Sequence, residues 1–409
     1  MLMTADQSKK QLLLAVTALL FANLGSSIFS FAMGLFLLKQ YSSAGVFGIS
    51  QAIGPLVSLA LAPILRLFID RVPKQQLITG AQLLSIVGLI GFAGLVRLPQ
   101  VSLVVAIILI LVVLRIADQL FDVTYMASAV MIVAGDDIQK LKSYEQMVSS
   151  IATIIGPVIA AAWFAAFHMQ FEVFVLAELG CEAIALVLMR LLTFRGTVVA
   201  TKATKSENEI KFILQDKVLT CAIWLGCAIN FFYTAFSIGL PYLQIHILKL
   251  SSQVYASSEA AVSIGVLVAS YLLAKRPAYQ HPLNVSWQVT IGFSSLFLIM
   301  GLVLMLSIQS KLILAGFMIT FNFITGLLIA WLNTPTMVWL TEYVPEHLQG
   351  RVFNISRTLV QVLMPIGILI ASFAFDHFAA SWIFIVTGVI FIVTVVLYPK
   401  LFGLKLDEV

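Results

Sequence analysis

Charged residues are scarce in this chain of 409 amino acids. Asp, Glu, Lys and Arg together make up 11% of its residues, whereas soluble domains are about one quarter charged. Hydrophobic residues make up 61%, and the mean hydropathy is +1.04. No polar segment is long enough to surround a soluble core, so the composition excludes a soluble globular protein and predicts an integral membrane protein.

Residues that carry catalytic or metal chemistry are equally sparse. The three cysteines all lie in apolar runs, and the five histidines are scattered without metal-ligand spacing. No GxxxxGK[ST] loop for nucleotide phosphates is present. The sequence therefore predicts no enzyme, no catalytic residues, no metal and no cofactor.

Twelve apolar runs are long enough, at roughly 20 residues, to cross a bilayer as helices. No cleavable signal peptide is predicted, because the first run continues well beyond the usual length of a signal segment. The runs lie near 12–38, 44–68, 77–96, 101–133, 145–167, 172–193, 218–247, 254–274, 284–307, 312–333, 352–375 and 381–402.

One polar stretch, 194–217, divides the runs into six and six. We therefore expect an all-α membrane protein with two six-helix bundles, 1–193 and 218–409, joined by a cytoplasmic loop. If both termini are cytoplasmic, only four of the 24 basic residues lie in outer loops, in agreement with the positive-inside rule. The net charge of +5 has the same origin and does not indicate nucleic-acid binding.

The two halves of the chain repeat one another at an offset of 207 residues. Polar and helix-breaking residues of the first run recur in the seventh: Asn23, Ser27, Ser30 and Gly34 match Asn230, Thr234, Ser237 and Pro241. The same offset places Asn322 opposite Arg115. Runs separated by six spans keep the same direction, so this is a parallel repeat around a central path.

The fourth run carries a stripe of functional residues. Arg115, Asp118, Asp122 and Tyr125 follow one another at spacings of three, four and three, which places them on one face of a helix. Charges inside a membrane are costly and usually face a cavity or a protein interior. Arg115 is expected to neutralise Asp118 and to leave Asp122 as the carboxylate that exchanges a proton.

Two alternatives to this proton site remain open. The sixth run carries a second acidic pair, Glu178 and Glu182, one helical turn apart, which competes as the proton-coupling site. The long run 101–133 could instead bend near Asp118 and leave both of its carboxylates in interfacial water.

Several local motifs resemble those of the major facilitator superfamily. Asp70-Arg71-Val72-Pro73-Lys74 resembles its cytoplasmic motif between the second and third helices, and Arg115 matches its intramembrane arginine. Gly156-Pro157 resembles the signature of drug–proton antiporters, although alanines replace the surrounding glycines. Val344 to Gly367 closely resembles the bacterial macrolide-efflux-like branch, which implies a bacterial cell membrane.

The resemblance implies roles in gating. Asp70, Arg71 and Lys74 are expected to hold the inner gate closed, and Gly156 with Pro157 is expected to let a helix bend or seal against its partner. The alternatives are a loop charge that only sets topology and an ordinary proline kink.

Polar residues of the repeated faces are expected to line a cavity for substrate. The candidate substrate-binding residues are Asn23, Ser27, Tyr125, Asn230, Thr234, Asn322 and Trp331. For the amides and hydroxyls the alternative is hydrogen bonding between helices.

The predicted function is proton-coupled export of hydrophobic or amphipathic small molecules, such as drugs, by alternating access. Its partners would be the small-molecule substrate, protons and membrane lipid, with no nucleic acid, and a monomer is expected. Two alternatives are a lipid or glycolipid flippase and a membrane sensor that no longer transports.

Overall fold

A computed structural model describes residues 5–41, 43–69, 72–100, 102–133, 137–167, 171–194, 213–277, 279–306, 308–401 and 403. Within these residues all regular secondary structure is helical, as the sequence predicts. The transmembrane helices are α1 (Ala5–Tyr41), α2 (Ala44–Ile69), α3 (Lys74–Leu95), α4 (Leu103–Ile132), α5 (Asp137–Ala166), α6 (Phe171–Arg190), α7 (Lys217–Tyr242), α8 (Ser252–Ala274), α9 (Pro282–Met305), α10 (Lys311–Tyr343), α11 (Glu346–Gln361 and Met364–His377) and α12 (Ala380–Leu401).

Eleven of these helices are long and apolar enough to cross a membrane by composition alone. The remaining one, α6, has 20 residues and is of sufficient length, but it carries Glu172, Glu178, Glu182 and Arg190. The prediction of a twelve-helix membrane protein is therefore confirmed.

Two helices depart locally from regular α geometry. α7 continues into a π-helical turn, Leu243–Ile247, before it ends. α11 is interrupted at 362–363, just before Pro365. Proline has no backbone N–H and cannot donate a hydrogen bond to the carbonyl one turn earlier. Pro365 therefore suits the first turn of the second segment, where the backbone N–H groups have no helical acceptor.

The first of two compact units consists of residues 1–37 and 53–202. It holds α3, α4, α5 and α6, together with α1 up to Leu37 and α2 from Ile53. A buried apolar cluster that includes Leu19, Ile132 and Met189 joins α1, α4 and α6.

The second unit consists of residues 38–52 and 203–409. Its core is built from stacked aromatic rings: Phe236 of α7 stacks on Phe297 of α9 with ring centroids 3.6 Å apart. Phe321, Phe384 and Phe391 pack around this pair. Such rings bury a large apolar area and fix their neighbours through their shape.

Two glycines bring α8 and α10 into backbone contact within the second unit. A Cβ atom built on Gly265 would overlap the Phe323 carbonyl oxygen, and one built on Gly326 would lie 2.8 Å from the Val262 carbonyl carbon. Small residues of this kind allow membrane helices to approach closely.

The first turn of α2 is attached to α11 in the second unit. The Asp376 carboxylate accepts hydrogen bonds from the backbone N–H groups of Ala44 (2.7 Å) and Gly45 (2.8 Å) and from the Ser43 hydroxyl (2.9 Å). Because the amide groups of the first turn have no helical partner, a carboxylate there satisfies them and interacts favourably with the helix dipole. Gly48 also lies directly against Ser372 of α11.

We expect Asp376→Ala to loosen this attachment. Loss of a capping carboxylate costs about 1–2 kcal/mol, or roughly tenfold in the local opening equilibrium. Hydrogen exchange at Ala44 and Gly45 should accelerate by about that factor. The first turn of α7 is a control within the same molecule, because Asp216 caps it by accepting a hydrogen bond from Leu219 N–H. Unchanged exchange at Ala44 and Gly45 would contradict the prediction.

Candidate functional site

The first unit contains a polar cavity of about 200 Å³ between α1, α3, α4 and α6. Most of its lining side chains are polar or charged, which is unusual in a membrane protein interior. The lining residues are Ala22, Asn23, Ser26, Ala81, Gln82, Ser85, Arg115, Ala117, Asp118, Phe121, Asp122 and Glu182.

α4 supplies the charged stripe of this cavity. The Arg115 guanidinium lies 3.7 Å from the Asp118 carboxylate, with the two side chains 40% and 35% exposed. Asp122, one turn further along, also lines the cavity and is exposed. The backbone of α2 passes beside Arg115 at Gly54. α4 is one continuous helix through this region, from Leu103 to Ile132.

α6 contributes a third carboxylate to the same cavity. Glu182 lines it and lies close enough to Asp118 for the two side chains to interact electrostatically. Glu178, one turn earlier, is buried against Gly25 of α1 and is absent from the cavity lining. Asp118 and Asp122 of α4 and Glu182 of α6, which the sequence leaves as competing sites, therefore line one cavity, whereas Glu178 does not.

α3 contributes two residues that the sequence analysis did not single out. Gln82 and Ser85 both face the cavity, and Gln82 is 3% exposed. Their spacing of three residues in an otherwise apolar run was the available signal.

Asn23 of α1 lines the cavity, as expected for a substrate-binding residue, but two other candidates of the first unit lie elsewhere. Tyr125 is buried in the apolar cluster of the unit. Ser27 donates a hydrogen bond to the Ala152 carbonyl of α5 (2.9 Å). Ser27 also lies directly against Gly156, so the small residue of the Gly156-Pro157 pair does bring two helices together.

The candidates in the second unit occupy four different places. Asn230 donates to the Gly226 carbonyl and lines a cavity of about 100 Å³ with Ser286 and Thr336. Thr234 borders a nearly apolar groove of about 380 Å³ between α7, α11 and α12. Asn322 is buried and donates to the Met318 carbonyl, whereas Trp331 donates to the Tyr279 hydroxyl.

Of the residues expected at the inner gate, Asp70 and Arg71 lie outside the described residues. Lys74 begins α3 and is 5% exposed, with an interaction partner.

Comparison with known proteins identifies the family to which these helices belong. The chain matches the Major Facilitator Superfamily over residues 15–321. This protein is a member of that superfamily. The transporter is 21% identical to Macrolide efflux protein A of Streptococcus pyogenes over 388 residues, which cover 92% of each chain. The resemblance to the macrolide-efflux-like branch is thus confirmed.

Solved structures of the superfamily share the fold of this transporter. A bacterial homologue of the iron transporter ferroportin, in the inward-facing state, aligns with a TM-score of 0.73 at 14% identity and covers 95% of this chain and 98% of its own. A D-xylose–proton symporter aligns with a TM-score of 0.70 at 13% identity and covers 96% and 98%. The protein is accordingly a multi-pass membrane transporter of a small molecule and not an enzyme.

Proposed function

We propose that this transporter exports hydrophobic or amphipathic small molecules in exchange for protons, by alternating access. The observation that carries the proposal is the cavity of the first unit, where three carboxylates and one guanidinium meet inside a membrane helix bundle. The similarity to Macrolide efflux protein A supports the export of drug-like compounds.

Charge compensation in the cavity suggests how exchange would operate. Arg115 pairs with Asp118, and Asp122 and Glu182 bring two further carboxylates to the same cavity. Each of these carboxylates can be neutralised either by a proton or by a positively charged group. Proton binding and substrate binding then exclude one another, which is the requirement for antiport.

The orientation follows from the distribution of basic residues. We place the transporter in the cytoplasmic membrane of a bacterium with both termini in the cytoplasm, as the positive-inside rule indicates. It would act as a monomer, with lipid around both bundles.

Gating would use the short motifs of the family. Asp70, Arg71 and Lys74 would close the inner side, and α5 would bend or seal at Gly156 and Pro157. The contact of Gly156 with Ser27 supports the second of these assignments.

The proposal is tested by transport in reconstituted vesicles with an imposed pH difference. One pH unit is worth about 1.4 kcal/mol per proton, which sustains a roughly tenfold substrate gradient for one-to-one exchange. We expect pH-driven accumulation of an amphipathic fluorescent cation, with no movement of a labelled lipid between leaflets. Lipid movement alone would indicate a flippase. Binding without any flux would indicate a sensor, and either result would overturn the proposal.

A further inference from the structure

An exposed apolar stripe of α8 ends at two basic residues, Lys275 and Arg276. The stripe consists of Ile264, Val268 and Tyr271, which follow one another at spacings of four and three and so lie on one face of the helix. Lys275 lies four residues beyond Tyr271 on the same face, at the C-cap position. Because α8 is an apolar segment of 23 residues, long enough to cross a bilayer, its end lies near the level of the lipid head groups.

Aromatic side chains fix the positions of both cations. The Lys275 ammonium lies 4.2 Å from the centre of the Tyr271 ring, which is a cation–π contact. The Arg276 guanidinium donates a hydrogen bond to the Tyr279 hydroxyl oxygen at 3.3 Å. Trp331 of α10 donates to the same oxygen at 3.0 Å. Trp331, which the sequence predicts as a substrate-binding residue, therefore positions Tyr279.

Neither cation forms an ion pair in the part of the chain that the structure describes. The ion pairs there are Arg115 with Asp118 and Lys142 with Glu145. Both Lys275 and Arg276 are exposed.

The hydroxyl of Tyr279 adds a third donor. Its oxygen accepts two hydrogen bonds, so its own O–H is available to donate another. Lys275, Arg276 and Tyr279 together present two positive charges and one O–H group. This combination complements an anion with several acceptor oxygens, such as a phosphate group.

The stripe indicates the source of that phosphate. From Lys275 back to Ile264 it extends along α8 for about 16 Å, which is roughly the depth of one leaflet of a 30 Å hydrocarbon core. Free phosphate would contact only the donors. A phospholipid would contact the donors with its phosphate and the stripe with an acyl chain.

We infer that an anionic phospholipid binds here, with its phosphate against Lys275, Arg276 and Tyr279 and one acyl chain along the stripe of α8. In the proposed orientation this end of α8 faces the cytoplasmic leaflet, whose surface carries the negative lipids. The inference concerns binding alone and does not depend on what the transporter exports.

Two phospholipids with identical acyl chains test the inference. Phosphatidylglycerol has one net negative charge, whereas phosphatidylcholine has the same phosphate and no net charge. The affinity of the first bound lipid is measured by native mass spectrometry of the full-length transporter released from detergent micelles. Each basic residue near anionic lipid contributes about fivefold, so we expect phosphatidylglycerol to bind roughly 25-fold more tightly than phosphatidylcholine.

Variants then assign this preference to residues. Lys275→Gln should lower phosphatidylglycerol affinity about fivefold, and Lys275→Gln combined with Arg276→Gln about 25-fold, with phosphatidylcholine affinity unchanged within about twofold. Lys400→Gln is the matched control, because Lys400 is an exposed basic residue in the last turn of α12. It should bind both lipids as the unaltered protein does.

Equal affinity of the unaltered protein for the two lipids would overturn the inference without any variant. The same loss in Lys400→Gln as in Lys275→Gln would also overturn it, since it would show a general attraction to basic helix ends. Displacement of bound phosphatidylglycerol by millimolar inorganic phosphate would show that the donors take free phosphate instead of a lipid.

Discussion

Asp122→Asn should abolish pH-driven accumulation of substrate while downhill exchange continues. Asparagine keeps the size of the side chain and part of its hydrogen-bonding capacity, but it cannot release a proton. Without that proton, transport loses its link to the pH difference, and the accumulation ratio should fall from roughly tenfold per pH unit to about one. The measurement is accumulation and exchange in the same vesicles, at equal amounts of inserted protein.

Two further variants delimit this effect. Asp118→Asn should instead leave Arg115 without its partner and impair folding or binding, because an uncompensated charge inside a membrane is costly. Glu342→Gln removes an exposed carboxylate near the end of α10 and should behave as the unaltered protein. If Asp122→Asn accumulates substrate normally, the coupling site lies elsewhere, and Glu182 becomes the next residue to test.

Gly326→Ala should strongly destabilise the second unit. Its new methyl group would lie against the Val262 carbonyl of α8, and backbone atoms cannot turn aside as a flexible side chain can. Overpacking of this kind costs about 1–3 kcal/mol. A cost near 3 kcal/mol would lower the melting temperature by roughly 6–12 °C.

Gly316 provides a control on the same helix. A Cβ atom there would meet nothing within 4 Å, so Gly316→Ala should leave the melting temperature unchanged or slightly higher. Gly326→Val should be more destabilising than Gly326→Ala, because the larger side chain forces α8 and α10 further apart. Equal melting temperatures for Gly316→Ala and Gly326→Ala would show that close approach at Gly326 does not limit stability.

The sequence reveals the helices because a bilayer imposes a strict length on apolar segments. It also reveals the face shared by Arg115, Asp118 and Asp122, since helical periodicity fixes direction around the axis. Periodicity does not fix depth, however. Tyr125 lies ten residues, or about 15 Å, beyond Arg115 along α4, and at that level the neighbouring helices have closed into an apolar core.

Contacts between helices were harder to predict. Glu182 and Asp118 are 64 positions apart in the sequence, and nothing in either helix alone states which faces of α4 and α6 meet. Gln82 was missed for a related reason. A single amide in an apolar run resembles many residues that simply bond to a neighbouring backbone, as Asn230 and Asn322 do.

α2 contributes residues to both units. Its first turn is fastened by Asp376 and groups with the second unit, whereas its remainder from Ile53 onward groups with the first. Gly54 and Pro55 follow directly after the residue at which α2 passes from the second unit to the first. Because proline has no backbone N–H, Pro55 leaves the Gln51 carbonyl without its helical donor. α2 therefore has one backbone hydrogen bond fewer at the point where its residues pass from the second unit to the first. Gly54, next to this proline, also lies beside Arg115, the cation of the cavity.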